Sequence, residues 1–190
     1  MLDDIENLAW KYLTFKAVIT DSVGRVRITG TYINKLEEGE FIHYDESGNI
    51  SGRRFYIHGR SEGLAIITTS SSKTTIRYKN GRKCGWQTNI VNGNLLKKEH
   101  YYNGKLHGKS YHYYPNGSIG HEKTYHLGVR VGIERTFTSN GKVIHYNEYD
   151  NLGLLHGFSI RVSRSIVGLI FYHGAFVRLA TEEERQAKGF

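Results

Sequence analysis

Ten histidines, one cysteine and a run of three serines are the residues of this chain best suited to chemistry. Histidines bind zinc-class metals or carry protons when two or three converge at ligand spacing. His107 and His156 each stand just before a glycine, at a recurring position that elsewhere holds Glu38, Glu62, Cys84 and Val131. A position that accepts valine and cysteine reads as part of a turn and not as a ligand set. His100, His112, His121, His126 and His145 are scattered over both sides of extended runs, without a close pair joined to a second cluster. No metal and no cofactor is expected from them.

Nucleophilic chemistry has less support. Nothing selects Cys84 with His100 over chance, and Ser70, Ser71 and Ser72 lack the G-x-S-x-G turn that exposes a catalytic serine. Glu38 with Glu40, and Glu182 with Glu184, are too local for paired acid and base groups. No phosphate-cradling glycine loop lies between a strand and a helix. The expectation is a protein that is not an enzyme and takes no small-molecule substrate.

Charge offers a better candidate. Residues 1–50 hold five Lys/Arg against nine Asp/Glu, whereas residues 51–180 hold nineteen against six. Arg53, Arg54, Lys73, Arg77, Lys97, Lys98 and Lys123 recur on corresponding segments of successive copies of a repeat. In a meander those segments lie roughly 9–10 Å apart, so their charges could form a band facing anionic lipid, nucleic acid or an acidic protein. Neighbouring residues of a strand point to opposite faces, which dilutes the band at Arg53–Arg54 and Lys97–Lys98. The plainer reading is a solvated sheet whose Lys and Arg guard strand edges against aggregation.

The elements that would position these residues come from a strong repeat. An aromatic recurs at Tyr32, Tyr56, Tyr78, Tyr101, Tyr125, Tyr149 and Phe171, at spacings of 22 to 24 residues. A glycine follows each of the first six, at Gly39, Gly63, Gly85, Gly108, Gly132 and Gly157. A turn glycine recurs at Gly24, Gly48, Gly93, Gly117 and Gly141. After the second glycine, the first, third and fifth residues lean apolar, the period of a strand with one buried face. Asn-Gly steps, as at Asn80–Gly81 and Asn103–Gly104, are hairpin turns because both residues tolerate positive φ. About 14 short antiparallel strands are predicted. Thr68 to Thr75 replaces the turn glycine with Ser and Thr and predicts a looser loop. The stretch Tyr149–Gly157 carries one extra residue, predicted as a bulge.

The ends differ. Asp3 and Asp4 followed by Ile5, Leu8, Ala9, Tyr12 and Leu13 predict a short amphipathic helix over Asp4–Tyr12, covering the first sheet edge or binding a partner. Thr181 with Glu184 predicts a capping box for a short C-terminal helix. The resulting division is 1–15 for an N-terminal capping helix, 16–180 for the repeat array and 181–190 for a short helix and tail.

The pattern YxNGxxxG followed by YYxNGxI, fullest at Tyr101–Gly108 and Tyr111–Ile119, resembles the MORN-repeat family over roughly residues 16–174. It is closest to the variant form of bacterial antitoxin-like proteins and of large DNA viruses. The resemblance implies an all-β, elongated, single-layer antiparallel meander of about seven repeats of 22–25 residues, capped by short helices. It implies stacked Tyr and Gly columns that are structural, and no catalytic activity. It also implies a scaffold or protein–protein interaction role, with a component of a large-DNA-virus particle as one setting. An antitoxin masking one toxic partner, or a peripheral binder of anionic lipid, are the other expectations. No apolar run approaches the roughly 18 residues of a membrane helix and no secretory signal opens the chain. One cysteine excludes an internal disulfide. An intracellular or virion location is expected.

Overall fold

The computed structural model describes residues 13–162 and 166–190. The helix expected over Asp4–Tyr12 lies outside the described residues. The chain divides into two units, Met1–Cys84 and Gly85–Phe190. Each is a single-layer antiparallel meander in which strands pair with their neighbours in chain order.

In the first unit the strands are β1 (Thr14–Thr20), β2 (Val26–Ile33), β3 (Leu36–Tyr44), β4 (Ile50–Ile57), β5 (Arg60–Thr68), β6 (Ser72–Lys79) and β7 (Arg82–Lys83). In the second they are β8 (Gly85–Val91), β9 (Asn94–Tyr102), β10 (Lys105–Tyr113), β11 (Ile119–His126), β12 (Val129–Arg130), β13 (Gly132–Phe137), β14 (Val143–Tyr149), β15 (Leu155–Val162), β16 (Ile166–Tyr172) and β17 (Ala175–Leu179). One helix, α1 (Glu182–Ala187), follows. The first strand thus starts two residues before position 16, where the array was expected to begin. Thr181 and Glu184 form the predicted capping box.

The two repeat columns are partners across the sheet. Gly39 pairs with Tyr56, Gly63 with Tyr78, Gly85 with Tyr101, Gly108 with Tyr125, Gly132 with Tyr149 and Gly157 with Phe171. Each copy's second glycine therefore meets the opening aromatic of the next copy. The backbone there is left-handed, with φ 89° at Gly108, and the strand pairing slips beside it, between Leu106 and Ser110. This is a glycine bulge, a conformation that a Cβ resists.

Asn80, Asn92 and Asn103 take φ near 50° ahead of their glycines, as two-residue hairpin turns require. The turn glycines then hook one copy to the one before. Gly81 N–H donates to the Ser61 carbonyl at 2.8 Å and Gly128 N–H to Leu106 at 2.8 Å.

Three expectations about local structure change. The Ser/Thr stretch is not a loose loop: Thr69 N–H donates to the Ser72 carbonyl at 2.8 Å and their hydroxyls meet at 2.7 Å. Hydroxyls here do the closing work that glycine does in the other copies. The extra residue of the sixth copy sits in its turn, where Asp150 Oδ1 accepts the N–H groups of Leu152 and Leu154. The expected single buried face is also corrected, because buried residues lie on both faces. Phe41, Ala65, Ile76, Glu99 and Ser110 are buried on the face bearing the Tyr column, and Tyr146 and Ile160 on the reverse.

Candidate interaction surface

The tyrosine face changes character between the units. In the first, rings form a ladder: Phe15 stacks on Tyr32 at 5.3 Å, Tyr32 meets Phe41 edge-on at 5.4 Å and Phe41 meets Tyr56 at 5.1 Å. Such pairs stabilise a sheet beyond the area they bury. In the second unit, positions equivalent to Phe41 and Ala65 hold Gln87, Ser110, Glu134 and Ser159. The interior there is a polar network instead.

Glu99 is 6% exposed and is held by Lys97 Nζ at 2.9 Å and the Tyr101 hydroxyl at 3.2 Å. Glu134 accepts from Tyr149 at 3.0 Å and from Arg130 at 3.1 Å, with Lys123 at 3.4 Å. Burial works against ionisation of Glu134, but the Tyr149 hydrogen bond and the adjacent cations hold its carboxyl below the usual range.

Lys97, Glu99, Ser110, His112, His121, Lys123 and Tyr125 line a shallow cleft of about 240 Å³ on this face. Burial, then the charge of Lys123, pushes the His121 imidazole down, so it is neutral near pH 7.

The basic candidates separate by face. Strand alternation sets Arg54 on the tyrosine face of the first unit and Lys97 and Lys123 on that of the second; Arg53, Lys73, Arg77 and Lys98 stand on the reverse. Most also have local partners. Arg53 donates to both Glu40 oxygens at 3.0 Å, Arg54 lies 5.2 Å over the Tyr78 ring and Lys98 lies 4.5 Å over the Trp86 ring. A continuous band does not form within either unit.

The reverse faces of the two units differ in their cover. In the second unit α1 lies over it: Lys188 Nζ sits 4.9 Å from the Phe158 ring and Phe190 meets Tyr146 edge-on, leaving Tyr146 4% and Ile160 1% exposed. In the first unit the same face carries Ile33, Leu36, Phe55, Ile57 and Leu64, each 36–49% exposed. Ile33 pairs with Leu36, and Leu64 with Arg77, so these side chains share one surface that includes Arg53 and Arg77. Of these residues the sequence pattern placed only Leu64, the first after Gly63, and it placed that residue on a buried face.

The histidines taken as structural include one convergence that chain order conceals. Asp150, His156 and His173 bring one potential ligand atom each to within 4.8 Å of the others. Their separations in the chain match no short motif, so only pairing of β15 with β16 could have revealed them.

No protein-family model and no curated protein matches the chain. Among solved structures it is similar to S. aureus TarM, as crystallised with fondaparinux, alpha-GlcNAc-glycerol and UDP, at 13% identity and a TM-score of 0.33. A second TarM crystal structure matches at 12% identity and the same TM-score. The match covers 75% of this chain and 23% of TarM, and at that TM-score it supports no inference about fold or activity.

Proposed function

We propose that this is a non-enzymatic repeat protein that binds other proteins and holds them in a larger assembly. The observation carrying this reading is the apolar reverse face of the first unit, where Phe55, Ile57 and Leu64 stand open to solvent beside Arg53 and Arg77. Exposed apolar side chains with an aromatic anchor and arginines on one face are the composition of a protein-binding patch. Pairing of Arg53 with Glu40, Lys97 with Glu99 and Lys123 with Glu134 neutralises much of the charge that a phosphate surface would need, which favours a protein over an anionic polymer. The resemblance to MORN repeats supports the same role, with a virion as one setting.

Cross-linking mass spectrometry on the native source tests it. Several partners whose cross-links converge on β4 and β5, and are lost with Phe55→Glu and Leu64→Glu, are expected. A single tight partner would replace the scaffold with an antitoxin-like masking role. Partners unaffected by both substitutions would remove this face from the proposal.

A further inference from the structure

We infer that Asp150, His156 and His173 form a binding site for a divalent transition metal of the zinc class. Three different parts of the second unit supply the donors. Asp150 opens the β14–β15 turn, His156 lies in β15 and His173 lies in the β16–β17 turn. Two histidine nitrogens and one carboxylate oxygen are a donor set suited to zinc, and too poor in oxygen for calcium or magnesium.

The backbone holds this set together independently of any ion. Gly174 N–H donates to the Leu155 carbonyl at 2.7 Å, fastening the β16–β17 turn beside His156. Asp150 Oδ1 is occupied by the N–H groups of Leu152 and Leu154, at 2.8 and 3.0 Å, which orients the carboxylate and aims Oδ2 at His173. His173 Nδ1 lies 2.6 Å from that oxygen. Outer partners of this kind orient ligands in metal sites.

The three ligand atoms lie within 4.8 Å of one another, and bonds to zinc of about 2.0–2.2 Å need them somewhat more evenly spaced. The His173 side chain is 48% exposed, which gives the ion a path from solvent. Three protein donors leave the fourth tetrahedral position to water. The bound ion would tie the β14–β15 turn to the last hairpin.

Isothermal titration of the full chain with zinc chloride, and magnesium chloride as control, provides the test. One zinc per chain is expected, without magnesium uptake. His173→Asn retains a residue that tolerates positive φ and recreates the Asn-Gly turn of other copies, so the hairpin stays intact. It should weaken zinc binding by at least about tenfold, the scale seen when even the partners of a zinc ligand are lost. On the unaltered protein, histidine-ring NMR signals should shift with zinc at His156 and His173. The proposal is overturned if the protein shows no saturable zinc uptake, if His173→Asn binds as tightly as the parent, or if the shifting rings are His107 and His126.

Discussion

Glu148 fastens α1 to the sheet, and its removal has a calculable effect. Its Oε1 accepts from Lys188 Nζ at 2.6 Å and from the Tyr146 hydroxyl at 2.6 Å, while Oε2 accepts from the Phe158 N–H at 2.8 Å. Glu148→Ala removes all three acceptor contacts. Stranding the half-buried donors costs about 1–3 kcal/mol. The Lys188 pair, whose side chains are 31% and 21% exposed, adds no more than about 1 kcal/mol because water screens it. A loss of roughly 1–4 kcal/mol in the second unit follows.

The effect should depend on pH in a defined direction. Burial alone raises the Glu148 pKa, but hydrogen bonds from Lys188, Tyr146 and Phe158 outweigh it and hold the value below 4.5. The unfolded chain therefore takes up the proton first as pH falls. The stabilisation is complete above about pH 4.5 and disappears as pH drops through the lower folded value. Urea unfolding followed by circular dichroism, at pH 7 and at stepwise lower pH, measures both. Trypsin should also cut sooner after Arg185 and Lys188 in the variant. A change under about 0.5 kcal/mol at pH 7, or strict additivity of Glu148→Ala with Lys188→Ala, would refute the clamp.

Two further outcomes are expected. Gly108→Ala places a Cβ at φ 89° and should destabilise by about 1–3 kcal/mol, lowering Tm by roughly 2–4 °C per kcal/mol in thermal unfolding; an unchanged Tm would show that the bulge does not need glycine. Co-sedimentation with anionic liposomes should give the same low bound fraction for the parent and for Arg54→Glu, Lys97→Glu, Lys98→Glu combined. Strong binding lost in the triple variant would instead favour a peripheral lipid-binding role.

Much of the architecture was legible because repeated residues repeat their physical task. Tyr101 and Gly108 recur together since each glycine bulge faces the next copy's aromatic, a constraint renewed in every copy. Thr181 and Glu184 announced α1 because a capping box is local. Less legible was the tightness of the turn at Thr69–Ser72, where hydroxyls substitute for glycine. Nothing local marks Glu99 of β9 as buried; Lys97 and Tyr101 hold its carboxylate within the sheet.

By itself the sequence determined the all-β class, the copy boundaries, most turns and the C-terminal cap, since these depend on backbone preferences and short-range periodicity. Tertiary structure alone decided which side chains share a surface. Strand alternation and register set Phe55 and Leu64 on one open face, α1 covered Tyr146 and Ile160, and the last hairpin carried His173 to Asp150. Those neighbourhoods depend on registers and bulges between distant segments, which no local spacing encodes.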